Sequence, residues 1–152
     1  MADIVLDEDV FIFALSSEFS GNLEDKAAAQ FLTCLQERHR WVLSTDVVMA
    51  YRRQLGRHRR GKGGVSSGLV ASLDGVLHSE RFLWKHHPAV VAGDYHDDDM
   101  HVVAAAAASA PSVLVTSDGR LTTKLVDGHV AENNGFRVMD PFEALSEFCE
   151  SG

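Results

Sequence analysis

Cysteine is almost absent. The 152 residues hold two, Cys34 and Cys149, far apart and without CxxC or Cys/His ligand spacing. Such a pattern signals neither a disulfide framework nor a zinc site, and both thiols are expected to be small buried apolar residues. Proline (three residues) and glycine (twelve) are too few for a collagen-like or Pro/Gly-rich disordered chain. Every long apolar run is interrupted, the first by Asp7 to Asp9, so no membrane contact is expected. Met1-Ala2-Asp3 opens acidic and lacks the basic start of a signal peptide, which leads to the expectation of a cytoplasmic protein. What remains is 45% hydrophobic and 24% charged with a mean hydropathy of −0.06. That is the make-up of one globular domain, residues 1–152, able to bury roughly 68–70% of its unfolded surface.

The net charge of −8 argues against nucleic acid at first sight, because phosphate binding needs cations. The distribution is uneven, however. Eight of the fourteen Lys and Arg (Arg38, Arg40, Arg52, Arg53, Arg57, Arg59, Arg60, Lys62) fall between positions 38 and 62, while the first 25 residues hold seven acids and no Lys or Arg. A second acidic group runs through Asp94, Asp97, Asp98 and Asp99. A basic surface beside an acidic pocket is one arrangement that follows; a solvated helix face is the other.

Asp3-Ile-Val-Leu-Asp7 reads as a buried strand ending in an acid, with helix from Val10 to Leu15. Leu23 to Arg38 has helical apolar spacing, and Trp41-Val-Leu-Ser44 is a second strand. Ser44-Thr-Asp46 opens a helix that breaks near residues 61–64, a loop or hinge, and a further helix is expected over 66–78. Ala89-Val-Val-Ala92 is a candidate short strand. Met100 to Ala110 is an alanine-rich helix preceded by three acids that suit its positive end. Val113 to Thr116 is a strand, Ser117-Asp-Gly119 a turn, Leu121 to Val126 a helix, Phe136 to Met139 a strand, and Pro141 to Glu150 a closing helix. Strands alternating with helices predict a three-layer α/β/α sandwich with a mainly parallel central sheet.

In such a fold the strand ends and helix starts collect on one edge. Asp7 ends the first strand, Asp118 follows the Val113–Thr116 strand by two residues, and Asp99 precedes the alanine-rich helix; Asp46 opens the helix after the second strand. Carboxylates gathered this way repel unless a cation neutralises them, and a hard-oxygen donor set favours Mg²⁺ or Mn²⁺ over zinc. That combination suits metal-assisted phosphodiester hydrolysis.

Ile4-Val-Leu-Asp-Glu-Asp-Val-Phe11, Asp99-Met-His-Val-Val-Ala-Ala-Ala106, Leu114-Val-Thr-Ser-Asp-Gly-Arg-Leu121 and Gly135-Phe-Arg-Val-Met-Asp-Pro-Phe-Glu-Ala-Leu145, in that order, resemble the conserved segments of PIN-domain nucleases. Within that family the chain is most similar to toxin components of toxin–antitoxin pairs. The resemblance implies a PIN-like fold and a Mg²⁺/Mn²⁺-dependent endoribonuclease. In it Asp7, Asp99 and Asp118 would be the catalytic, metal-binding acids, Asp9 a neighbouring polar position, and Thr116 and Ser117 the turn that aims Asp118. RNA is the implied substrate, with an antitoxin protein and a second copy of the chain as candidate partners. One departure stands out: the family has a Glu in the helix after the second strand, and in Ser44-Thr-Asp-Val-Val-Met-Ala-Tyr51 that position is Ala50. Asp46, one turn earlier on the same face, is a candidate replacement metal ligand. Without a replacement, a degenerate RNA- or partner-binding module is the alternative.

Arg52, Arg53 and Arg57 are the candidate phosphate contacts. Asp7-Glu-Asp9 with Thr116 and Lys124 also resembles haloacid-dehalogenase phosphatases, but there the last acidic pair follows the lysine, whereas Asp97 to Asp99 precede Lys124 here. His96 and His101 are expected to be solvated or capping, and Trp41 and Trp84 to fill the core.

Overall fold

The computed structural model describes residues 1–20, 22–60 and 82–150, with side chains at all of these except 16–20, 58–60 and 82. The expected hinge at 61–64 and helix at 66–78 lie outside the described residues. In chain order the elements are β1 (Asp3–Leu6), α1 (Glu8–Ser20), α2 (Leu23–Arg38), β2 (Arg40–Leu43), α3 (Thr45–Arg60), β3 (Phe82–Trp84), a 3-10 turn (Asp97–Asp99), α4 (Met100–Ala108), β4 (Ser112–Val115), α5 (Gly119–Asp127), α6 (Val130–Asn134), β5 (Phe136–Met139) and α7 (Pro141–Phe148).

All five strands are parallel, in the order β3-β2-β1-β4-β5. The central strand β1 sets Ile4 opposite Val113 and Leu6 opposite Val115 on one side, and Ile4 opposite Trp41 on the other. Successive strand residues face opposite sides of a sheet, and Ile4, Val5 and Leu6 are all inaccessible, as are Leu114 and Val115. Both faces are therefore covered by helices, the expected α/β sandwich.

Under the carboxyl edge of β1, Phe11, Trp41 and Tyr51 form an aromatic cluster, with the Phe11 and Tyr51 rings stacked at 4.6 Å. Such a pair contributes about 0.5–1.5 kcal/mol beyond its buried area. The Tyr51 hydroxyl accepts the Trp41 indole N–H at 3.3 Å and donates to the Leu6 carbonyl, which pins α3 to the residue before Asp7. On α4 the small side chains of Ala104, Ala105 and Ala106 are buried, as their close approach to the sheet requires.

Four expectations are corrected. Cys34 and Cys149 are joined by a disulfide, with Cα atoms 6.0 Å apart across 115 positions of sequence, because α2 and α7 pack side by side. Trp84 is 39% exposed on the edge strand β3, its indole N–H donated to His86 Nδ1 at 2.8 Å, whereas Trp41 is in the core. Residues 89–92 are irregular, and the strand of this region is β3, seven residues earlier. His101 is mostly buried and paired, as described below. Among the described residues no helix is long and apolar enough to cross a membrane.

Candidate metal centre and adjoining cleft

The chain leaves β1 toward β2 and β3, then returns to β4 on the opposite side of β1. Between β1 and β4 the sheet therefore has its switch point, where open α/β folds bind ligands beyond the strand ends. Asp7 stands at this point. Its amide continues the ladder to the Val115 carbonyl at 2.9 Å, its Oδ1 accepts the Glu8 amide at 2.8 Å, and its Oδ2 accepts the Thr116 hydroxyl at 2.7 Å. Thr116 in turn accepts the Asp118 amide on Oγ1 at 3.1 Å. Asp118 caps α5, its Oδ1 taking the amides of Arg120 (3.0 Å) and Leu121 (3.2 Å). Both capping bonds use one oxygen, which leaves Oδ2 for another partner.

Asp9 lies one residue into α1, and its carboxylate accepts the Val10 amide at 2.7 Å and the Ser117 amide from the β4 turn. The Ser117 hydroxyl is buried and has no partner among the described residues. Asp99 precedes α4 but makes no capping bond with its side chain, so its carboxylate is not consumed by the helix. Instead His96 Nδ1 caps the preceding turn through the Asp98 amide at 3.1 Å, the capping role expected of it.

Electrostatics ties these acids into one group. Asp7 is held well above the ordinary carboxylate range, first by burial and then by its hydrogen bond with Glu8 and the charges of Asp9 and Glu8; the Thr116 bond opposes the shift. Asp9 is raised from 3.8 to about 6, mainly by burial and further by Glu8 and Asp118, against the bonds from the Val10 and Ser117 amides. Asp99 is raised by burial and by the charges of Asp118 and Glu8. Glu8 goes the other way: burial pushes it up, but hydrogen bonds from His101 and Asp7 outweigh this and bring it to about 2.

The sequence reading did not single out Glu8 or His101 as site residues. Glu8 Oε2 and His101 Nε2 are 2.8 Å apart with side chains 18% and 10% exposed, and Asp7, Glu8 and His101 each offer a donor atom within 4.8 Å of the others. Asp46 is exposed on the first turn of α3 and is not among the principal charges acting on Asp7, Asp9 or Asp99.

A cleft of about 540 Å³ opens between α3 and the segment 97–104. One wall carries Arg53, Gln54 and Arg57, the other Asp97, Asp98 and His101, with Glu8, Asp46 and Ala50 also lining it. Arg52 is exposed but does not line this cleft, because a helix turns it away from the face shared by Ala50, Arg53 and Arg57. Asp118 lines a second, open hollow with Arg120 and Lys124.

The donor set fits a hard divalent cation. It is mainly carboxylate oxygen, with Asp7, Glu8 and His101 offering donor atoms within 4.8 Å of one another, a group that does not include Asp99 or Asp118.

The all-parallel sheet covered by helices on both faces is an α/β fold of PIN-like type, as a structural similarity indicates. Among solved structures it is similar to a PilT N-terminus domain protein from the hyperthermophilic archaeon Sulfolobus solfataricus P2. That similarity has a TM-score of 0.53 over 99% of this chain and 96% of that one, with 14% of residues identical, and it extends to the fold alone. No protein-family model and no curated protein matches the chain.

Proposed function

We propose that residues 1–152 form a single PIN-like domain acting as a Mg²⁺- or Mn²⁺-dependent endoribonuclease. The observation that carries this reading is the electrostatic linkage of Asp7, Asp9, Asp99 and Asp118, drawn from three separate segments to the switch point of a PIN-like sheet. Asp7, Asp99 and Asp118 hold the cation. Asp9 and Ser117 brace the turn through their amide–carboxylate bond, while Thr116 fixes the distance between Asp7 and the Asp118 backbone. When bound, a divalent ion of this kind neutralises the carboxylates, screens the phosphate and activates water for attack at phosphorus. Arg53 and Arg57, on the cleft wall, hold backbone phosphates of RNA and set its register. The resemblance of the four sequence segments to toxin components suggests that role here, with a small antitoxin protein covering the acidic edge.

Ala50 favours a second reading, an RNA- or partner-binding module without catalysis, since α3 presents a methyl group where the family has an acid. Cleavage of a labelled single-stranded RNA in Mn²⁺, Mg²⁺ or EDTA separates the two, with Asp118→Asn protein purified identically as control. Metal-dependent cutting that disappears in Asp118→Asn is the expected result. Absence of cutting by folded wild-type protein on several RNAs with both metals favours the binding module.

A further inference from the structure

Glu8 has a place in the cleft that the three acids of the resemblance do not explain. As the first residue of α1 its backbone is fixed, with the amide on Asp7 Oδ1 at 2.8 Å. Its side chain reaches across to the second residue of α4 and meets His101 Nε2 at 2.8 Å, so the pair bridges the two helices that begin just after Asp7 and Asp99. Oε2 of Glu8 is engaged by the imidazole, and the Glu8 carboxylate also shares a hydrogen bond with that of Asp7. Ala50, 2% exposed, lines the same cleft as the pair, and its methyl group offers no donor.

We propose that Glu8 is the fourth carboxylate of the cation site, occupying the room left by Ala50, and that His101 is the positioning residue that holds it there. The inference rests on the reading of this edge as a divalent-cation site. Donor atoms of Asp7, Glu8 and His101 already lie within 4.8 Å of one another, and hard cations take oxygen ligands at about 2.0–2.6 Å, so one ion is reached by small side-chain movements. Such an ion selects the carboxylate over the imidazole. A ligating carboxylate is oriented by a hydrogen bond on its other oxygen, which is the service His101 performs. Asp46 lines the same cleft but is exposed, one turn nearer the start of α3 than Ala50.

The test is Mn²⁺ affinity of the whole chain, measured by calorimetry and by the electron paramagnetic resonance of free Mn²⁺, for wild type, Glu8→Gln, His101→Ala, Asp118→Asn and Glu8→Gln/Ala50→Glu. Glutamine keeps the size of Glu8 and an acceptor for His101 but not its charge, so Glu8→Gln lowers the metal-free melting temperature while the protein remains folded at the temperature of the titration, and Mn²⁺ affinity falls about tenfold or more. His101→Ala lowers the affinity less than Glu8→Gln does, and Ala50→Glu restores much of what Glu8→Gln loses. Wild-type affinity in Glu8→Gln, alongside loss in Asp118→Asn, overturns the role of Glu8 and leaves the cation site standing. A folded double variant without recovery overturns the replacement of Ala50. If wild type takes up no Mn²⁺, the cation-site reading falls and the role of Glu8 with it. Should Ala50→Glu prove too crowded to fold, Glu8→Gln alone decides.

Discussion

Thr116 gives its hydroxyl proton to Asp7 Oδ2 at 2.7 Å and thereby joins the end of β4 to the end of β1 across the switch point. Oγ1 of Thr116 also accepts the Asp118 amide, so one buried hydroxyl spaces two acids from segments over a hundred residues apart. Thr116→Val keeps the shape of the side chain and removes both bonds. It is expected to cost about 1–3 kcal/mol in urea unfolding, since a buried carboxylate and an amide lose partners. Mn²⁺ affinity should fall about tenfold, the usual cost of an orienting partner. Unchanged stability and affinity would refute the spacing role.

Proton and cation should compete at the acidic edge. Asp7 and Asp9 bind protons more tightly folded than unfolded, chiefly because they are buried. The stability this gives the metal-free protein is complete below 3.8 for Asp9 and is lost as pH rises through about 6. Glu8, lowered from 4.5 to about 2, contributes oppositely, but its contribution is already complete above 4.5 and adds no slope beyond it. Mn²⁺ should therefore raise the melting temperature more at about pH 7.5 than at about pH 5, relative to EDTA. Equal increments at both pH values would contradict a cation seated among these carboxylates.

The arginines of α3 should differ by face. Arg53 and Arg57 line the cleft and Arg52 does not. With Asp118→Asn protein to prevent cutting, Arg53→Ala and Arg57→Ala should each weaken RNA binding and reduce the salt slope by about 0.7. Arg52→Ala should leave the slope near wild type. Fluorescence anisotropy at several salt concentrations measures all three, and equal effects would place the RNA elsewhere.

Reduction should destabilise the chain. The Cys34–Cys149 bond closes a loop of 115 positions, and in the chain-entropy view a loop of that length is worth on the order of 4–5 kcal/mol. Cys34→Ser or a dithiol reductant should lower the melting temperature, and thiol titration of denatured, unreduced protein should find no free cysteine. Two reactive thiols in that titration would show the bond unformed.

Much of the sheet was legible because β1, β2 and β4 each hold at least three consecutive buried residues and so appear as apolar runs, while β5 keeps apolar residues at Phe136, Val138 and Met139 around the exposed Arg137. β3 was not, since three residues at an edge carry too little pattern, and the more apolar run at 89–92 is irregular with Val90 77% exposed. Asp7, Asp99 and Asp118 were readable from chain order alone, because parallel topology sends every strand end to one edge. α5 starts two residues before its first apolar position, since Asp118 caps it, which periodicity does not register. The Glu8–His101 pair and the disulfide join positions 93 and 115 apart, and no local spacing encodes such contacts. Trp84 illustrates the converse: a large apolar residue is expected inside, but the strand that bears it has, among the described residues, a neighbour on one side only.

The disulfide also changes what a broken backbone means for this molecule. With residues 34 and 149 covalently joined, the chain between them is a closed ring carrying two tails. A single proteolytic cut anywhere in that ring opens it without releasing a fragment, so a nicked molecule keeps its mass apart from one added water. Intactness on an unreduced gel is therefore no measure of an unbroken backbone, and only the reduced lane counts the cuts.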